Sequence, residues 1–244
     1  MIVAVPQPVA SSLATPAAIV RSLDRTEREL GRALRQWKKA LPPPRIVVRL
    51  ALSEQRTLRT LALTPALSAA VVRIDPAWRD DLRARADLSA LARVSPPARG
   101  RPKLAAPPSA AHLLAWYLQA QHRFGIRWQL LAAINFVETA FGKVRNTSGA
   151  GAQGPMQFEP ATWKEYGLGG NIDNPRDAIL AAANYLASSG GRGNERNALY
   201  HYNPSQLYVD AVVHYADRIQ SDPNSFYAYY CWRVYFHAAV TTNP

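Results

Sequence analysis

Apolar residues recur at intervals of three and four along most of the chain, which predicts a mainly helical protein. The clearest stripe consists of Leu130, Leu131, Ile134, Val137 and Phe141. Glu138 lies four residues after Ile134 and three before Phe141, so this stripe contains a carboxylate. An apolar surround raises the pKa of a carboxyl group. The pattern indicates either a general acid or an ordinary glutamate at a helix end, and periodicity alone does not separate the two.

A glycine-rich segment, residues 146–157, follows this stripe and reads NTSGAGAQGPMQ. Gly149, Gly151 and Gly154 permit left-handed backbone and the close approach of a ligand. Pro155 is predicted to stand near the first position of the next helix. A phosphate-binding loop is excluded because no Lys-Ser or Lys-Thr pair follows the glycines. The segment is therefore predicted to form the wall of a cleft and to lead into a helix.

Five motifs occur in an order that resembles the lytic murein transglycosylases, whose catalytic domain has the goose-type lysozyme fold. They are ETAF from Glu138, SGAGAQGPMQ from Ser148, PAT from Pro160, AAANYL from Ala181 and ALYHYN from Ala198. The resemblance covers roughly residues 109–219. The sequence departs from the family pattern at Pro155, where leucine is usual, and at Glu159, where an apolar residue usually lines the cleft.

The resemblance implies an enzyme that cleaves the β-1,4 bond between N-acetylmuramic acid and N-acetylglucosamine in peptidoglycan with 1,6-anhydro ring formation. Glu138 would be the general acid and then the base. The alternatives are a goose-type lysozyme-like hydrolase and a noncatalytic cell-wall-binding protein. The implied substrate-binding residues are Ser148, Gly151, Ala152, Met156, Gln157, Glu159, Tyr185, Tyr202 and Asn203. Without the resemblance, Tyr185 would be interpreted as core, and Tyr202 and Asn203 as a packed ring and a helix cap.

The expected fold is mainly α, with a lysozyme-like (goose-type) catalytic domain, a helical N-terminal subdomain and a short C-terminal strand. Proline clusters and changes of composition predict four segments. They are a basic helical N-terminal region at 1–94, a proline-rich linker at 95–108, the catalytic domain at 109–220 and an aromatic tail at 221–244. Within the first, a helix is expected from Pro16 to the prolines at 42–44, with Leu41 on its apolar stripe. The strand is expected from the aromatic residues near the C-terminus.

Charge is concentrated in the first half of the chain. Residues 1–110 contain 19 basic and 8 acidic side chains, whereas residues 111–244 contain 10 and 9. No aromatic residues are interleaved with these arginines, so no specific nucleic acid is predicted. A simply solvated basic surface is the favoured interpretation, and contact with anionic wall polymers or a membrane surface is the alternative. The main partner expected is the peptidoglycan glycan strand.

Neither a metal nor a cofactor is predicted. Cys231 is the single cysteine, and His201, His214 and His237 do not have ligand spacing. No stretch reaches the roughly 18 apolar residues that span a bilayer, and residues 1–20 lack the basic start of a signal peptide. Because murein lies outside the cytoplasm, the expected location is extracytoplasmic, in the cell wall or secreted, after removal of a leader or by another export route.

Overall fold

The fold is almost entirely helical in a computed structural model that describes residues 15–94 and 103–235. Helices account for 69% of the described residues, which contain isolated β-bridges but no strand. The helices are α1 Pro16–Gln36, α2 Arg45–Ala62, α3 Pro65–Ile74, a 3-10 helix Pro76–Trp78, α4 Arg79–Val94, α5 Ala110–Phe124, α6 Trp128–Thr139, α7 Pro160–Tyr166, α8 Pro175–Ser188, α9 Glu195–Tyr202, α10 Gln206–Ser221 and α11 Asn224–Cys231. None of these helices is long and apolar enough to cross a membrane.

Helix α1 begins where the sequence predicts and ends earlier. The Thr15 side chain accepts a hydrogen bond from the backbone N–H of Ala18 (3.3 Å) ahead of Pro16, which is a standard helix start. Trp37 is already extended, and the Lys39 ammonium donates to the carbonyl oxygen of Leu34 at the helix end (2.5 Å). Since the helix ends at Gln36, the prediction that Leu41 continues the apolar stripe is wrong, and Leu41 is 57% exposed.

The N-terminal helices share one hydrophobic core with the rest of the described chain. Helix α4 packs along α10, and Arg218 on α10 binds Asp81 on α4 (3.1 Å) and Glu27 on α1 (2.5 Å). The guanidinium also lies over the ring of Trp78, which is completely buried. Buried ion pairs of this kind are costly to break, so they fix how α1 and α4 lie against α10.

Helix α6 lies in the interior of the second half of the molecule. Residues 130–135 are all fully buried, between α5, α8 and α10. All five residues of the predicted apolar stripe are buried, but only four of them belong to the helix, because Phe141 lies beyond its end. A helix that is apolar all round is a buried one. Its C-terminal end, which carries Glu138, is therefore held by packing on several sides.

The predicted C-terminal strand is wrong for the described part of the aromatic tail, because residues 224–231 form helix α11, and residues 236–244 lie outside the described residues. Phe226, Tyr229 and Tyr230 are buried at the three- and four-residue spacing of a helix. Phe226 contacts the rings of Phe141 and Trp128 at 5.4 and 5.9 Å between centroids. Burial of these large rings outweighs the β-propensity of the aromatic residues, which is a weak local preference.

Candidate active site

The backbone turns sharply directly after Glu138. Helix α6 ends at Thr139, and the next three residues, Ala140, Phe141 and Gly142, have φ angles of 50°, 66° and 80°. A left-handed conformation is unfavourable for alanine and phenylalanine, and it persists only where the surroundings impose it. Here Phe141 is completely buried, and its ring stacks on that of Phe136 with a centroid distance of 5.4 Å. The turn therefore leaves Glu138 in the last turn of the helix.

Thr139 joins this helix end to the glycine-rich segment. Its hydroxyl donates to the carbonyl oxygen of Pro155 (2.6 Å) and accepts from the backbone N–H of Gly142 (2.9 Å). One turn earlier, the Asn135 side-chain amide donates to the hydroxyl of Tyr117 (2.8 Å). All of these groups are buried, so their hydrogen bonds fix the distance between the acid-bearing helix and the loop.

Glu138 is half-buried, and the hydroxyl of Tyr208 donates a hydrogen bond to its Oε1 (2.7 Å). Burial raises the pKa of this carboxyl from 4.5 to about 7, and the bond from Tyr208 opposes that rise. The charge of Glu138 also contributes, after burial, to raising the pKa of the Tyr202 hydroxyl. The acid therefore lies near two phenols and is partly protonated at neutral pH, which favours the first of the two interpretations that periodicity left open.

No second carboxylate takes part in this electrostatic environment. No aspartate or glutamate of the described residues contributes to the pKa shift of Glu138. Residues 1–14, 95–102 and 236–244 contain neither aspartate nor glutamate, so they offer no other side-chain carboxylate. Glu138 therefore has the chemistry of a proton donor and acceptor whose pKa burial raises and the bond from Tyr208 moderates.

The glycine-rich segment forms two consecutive tight turns. In the first, the Ser148 hydroxyl oxygen accepts from the backbone N–H of Ala152 (2.9 Å), and Gly151 has a φ of 90°. In the second, an antiparallel bridge between Gln153 and Phe158 closes a turn over residues 154–157. The prediction that Pro155 begins a helix is wrong. Gln157 has a φ of 50°, which interrupts any helix there, and α7 starts only at Pro160.

The second turn is fastened to the protein at several points. The Gln157 side-chain amide donates to the carbonyl oxygens of Gly154 (3.0 Å) and Asn146 (3.3 Å). The side chain of Met156 is completely buried, and its carbonyl oxygen accepts from the hydroxyl of Tyr202 (2.5 Å). A Cβ atom on Gly154 would lie 2.1 Å from the carbonyl oxygen of Ile172, so only glycine fits there. This arm of the loop is thus rigidly placed beside Glu138 and Tyr202.

Aromatic rings continue from Tyr202 away from the acid. The Tyr185 ring lies 5.7 Å from that of Tyr202 and 4.7 Å from that of Tyr166. Burial, and then the charge of the exposed Glu159, raise the pKa of the Tyr185 hydroxyl. Asn203 ends helix α9 in an extended conformation next to Tyr202. Partly exposed aromatic faces in a row can stack against sugar rings.

The structure brings together most of the residues implied by the sequence motifs. Glu138, Met156, Tyr202 and Tyr185 are linked by the contacts above, with Gln157 and Glu159 in the adjoining loop. Ser148, Gly151 and Ala152 occupy the first turn, and no hydrogen bond between described residues joins Ser148 to Glu138.

Tyr208 is the site residue that the sequence reasoning missed. Its position in the apolar pattern of α10 predicts a core residue, and its ring is indeed buried. The contact with Glu138 spans 70 residues, so no local signal in the sequence indicates it. Only the packing of α10 against α6 brings the phenol to the acid.

Comparisons with known proteins agree with this geometry. Residues 116–220 match the transglycosylase SLT domain. The chain is also 32% identical over 118 residues to the membrane-bound lytic murein transglycosylase F of Thiobacillus denitrificans. That match covers 45% of this chain and 25% of the relative, so the chain spans about a quarter of the length of that protein. No solved structure matches significantly. The predicted fold class, mainly α with a lysozyme-like domain, is confirmed apart from the C-terminal strand.

Proposed function

We propose that this chain, which carries a transglycosylase SLT domain over residues 116–220, is a peptidoglycan lytic transglycosylase with Glu138 as its general acid and base. The observation that carries the proposal is the half-buried Glu138 carboxyl, whose pKa burial raises to about 7 beside a rigid glycine-rich loop. An acid with a pKa near the working pH is the most effective proton donor. The proposed substrate is the β-1,4 bond between N-acetylmuramic acid and N-acetylglucosamine.

In the first step, the protonated carboxyl of Glu138 gives its proton to the glycosidic oxygen as the bond to C1 of the muramic acid residue breaks. The positive charge that develops on this sugar is stabilised by the carbonyl oxygen of its own N-acetyl group. Tyr208 supports the step because its hydroxyl already binds Oε1 and continues to stabilise the carboxylate that forms. The step leaves Glu138 ionised.

In the second step, the Glu138 carboxylate removes the proton from the C6 hydroxyl of the same sugar, and O6 bonds to C1. This closes a 1,6-anhydro ring, returns the proton to Glu138 and consumes no water. This route needs neither a carboxylate nucleophile nor a separate base, which fits an acid whose pKa shift has no contribution from another side-chain carboxylate. An intramolecular hydroxyl also has a large proximity advantage over bulk water.

The loop and the aromatic row are proposed to bind the glycan strand. Ser148, Gly151, Ala152 and Gln157 offer backbone and side-chain groups along one wall. Tyr185 and Tyr202 offer ring faces, with Asn203 and Glu159 at the edges. The Tyr202 hydroxyl proton is already bound to the Met156 carbonyl, so this phenol is proposed to act through its ring and as a hydrogen-bond acceptor. Since peptidoglycan is the substrate, the site of action is extracytoplasmic.

Digestion of purified sacculi by the full chain tests the proposal. Mass spectrometry should find muropeptides that lack one water relative to hydrolysis products. Glu138→Gln should reduce release by about 10²- to 10⁴-fold, the usual contribution of a general acid. Glu29→Gln, an exposed change on α1, serves as the control and should keep full activity. Reducing N-acetylmuramic acid ends, in place of 1,6-anhydro ends, would identify a lysozyme-like hydrolase instead. Unchanged lysis by the Glu138→Gln variant would refute the assignment of Glu138 as the acid.

A further inference from the structure

A basic groove lies on the outer side of helix α2, on the N-terminal half of the chain. It has a volume of about 340 Å³. Its lining residues are Pro43, Arg45, Val48, Arg49, Leu52, Arg56 and Arg233. Four of these seven residues are arginines, and the others are apolar. We refer to this surface as the α2 groove.

Three of the arginines form a row along one face of the helix. Arg45, Arg49 and Arg56 are four and seven residues apart, so they lie within about 40° of each other around the helix axis. The rise per residue places the first and last about 16 Å apart along that axis. Arg233 joins the row from the chain after α11. Its backbone N–H and carbonyl oxygen are bound to the side-chain amide of Gln55, at 3.0 and 2.8 Å.

The positive charge of this row is not balanced by acidic side chains. Within residues 15–94 and 103–235, none of the four arginines has a carboxylate within ion-pair distance, whereas Arg127, Arg196 and Arg218 are all paired. The remaining residues of the chain contain no aspartate or glutamate, so no acidic side chain can come from there. Helix α2 also begins at Arg45 without a side-chain cap, and the N–H groups of its first turn favour anions.

We propose that the α2 groove binds a linear phosphate polymer that carries no bases, such as a polyol phosphate chain. A single small anion can reach only neighbouring arginines, whereas a polymer places successive phosphates along the whole row. Guanidinium groups match phosphate oxygens well, because they offer two parallel donors each. This inference concerns a surface remote from Glu138 in the chain, and it does not depend on the proposed cleavage reaction.

The lining of the groove selects against the other anionic partners. Single-stranded nucleic acids require aromatic side chains on which bases stack, and none of the seven lining residues is aromatic. A lipid bilayer presents a broad, flat surface, whereas the apolar Val48 and Leu52 lie only partly exposed between the arginines of a recess. A thin, flexible chain with an uncharged backbone between its phosphates fits both the apolar floor and the charged row.

Binding of fluorescently labelled poly(glycerol phosphate) to the full chain, measured by anisotropy over a range of salt concentrations, tests the inference. A variant with Arg45→Gln, Arg49→Gln and Arg56→Gln should bind about tenfold or more weakly, because each exposed charge contact contributes a modest increment. The slope of log K against log salt should become shallower by about 2, at roughly 0.7 per lost contact on a single chain. Replacing the same three arginines by lysine keeps the charge and should retain most of the binding.

The matched control changes three exposed arginines of α1 by Arg21→Gln, Arg25→Gln and Arg32→Gln. It removes the same charge and should leave the affinity for the polymer unchanged. Equal weakening by the two glutamine triples would overturn the proposal, since the binding would then be diffuse attraction to a basic protein. The proposal would also be overturned if orthophosphate competed for the site as strongly as the unlabelled polymer does. Tighter binding of single-stranded DNA or of anionic lipid vesicles, lost in the α2 triple, would assign the groove to those partners instead.

Discussion

The bond from Tyr208 to Glu138 makes a sharp prediction about pH dependence. Changing Tyr208→Phe removes the hydroxyl that donates to Oε1 at 2.7 Å and leaves the buried ring in place. That bond stabilises the ionised carboxylate and opposes the effect of burial on the pKa of Glu138. Without it, the effect of burial is opposed less strongly. The pKa of Glu138 should therefore rise above its value of about 7.

The size of the shift follows from the strength of the lost bond. A hydrogen bond to a charged group contributes about 1.5 to 3 kcal/mol, and one pKa unit corresponds to about 1.4 kcal/mol. The pKa of Glu138 should consequently rise by about 1 to 2 units. Since the carboxyl must be protonated to act as the acid, activity falls as the pH rises through its pKa. The alkaline limb of the profile should move to higher pH by the same amount.

The assay is the initial rate of anhydro-muropeptide release from sacculi between pH 5 and pH 10. The maximal rate should also fall, on the order of tenfold, because the carboxyl loses the group that orients it. Tyr215→Phe is the matched control, since Tyr215 is another buried tyrosine on α10 and is not bonded to Glu138. This account of the site would be refuted if Tyr208→Phe folded normally and the alkaline limb of its pH–rate profile stayed in place or moved to lower pH.

Two further predictions concern stability. Gly154→Ala places a Cβ atom 2.1 Å from the carbonyl oxygen of Ile172 at a φ of +72°, and it should lower the free energy of unfolding by roughly 2 to 5 kcal/mol in urea titrations. A Cβ atom on Gly149 would have no neighbour within 4 Å, so Gly149→Ala should change the free energy of unfolding little. Equal losses of stability in the two variants would contradict the steric argument. Burial raises the pKa of Glu54 from 4.5 to about 8, so the folded state keeps a proton that the unfolded chain releases. Stability should fall as pH rises from 4.5 to 8, by up to about 5 kcal/mol. Glu138 adds a smaller fall of the same sign, so Glu54→Gln should reduce the loss of stability without abolishing it. A loss in the variant as large as that in the unaltered protein would exclude Glu54 as a source.

The local chemistry of the sequence was sufficient for most of the helices and their ends. Thr15 and Pro16 start α1, Ser109 and Gly125 bound α5, and Asn203 and Ser205 lie at the break between α9 and α10. Each of these signals acts within one helical turn, through a cap or a restricted φ angle. The apolar stripe containing Glu138 has the same local character. It placed Glu138 next to apolar residues, but it left open whether the carboxyl is a buried acid or an ordinary glutamate at a helix end.

Where the local signal was weak or misleading, long-range packing decided the outcome. The aromatic tail has strand propensity, yet α11 forms because Phe226 and its neighbours bury their rings against α5 and α6. Pro155 is suited to a helix start, yet a turn forms there, and its Pro155 and Met156 carbonyl oxygens accept from the hydroxyls of Thr139 and Tyr202. In both cases, contacts with distant residues outweigh a preference of about 1 kcal/mol or less.

The sequence by itself determined the helical class of this protein, the position of its buried acid and the glycine-rich loop that follows. Apolar periodicity, helix caps and glycines act over a few neighbouring residues, so they can be recognised in the amino-acid sequence alone. Only the tertiary structure decided that Tyr208 binds Glu138, that Thr139 fastens the helix end to Pro155, and that Arg233 completes a row of arginines on α2. These contacts join residues far apart in the chain, and the packing of α10, α11 and the loop against α2 and α6 creates them.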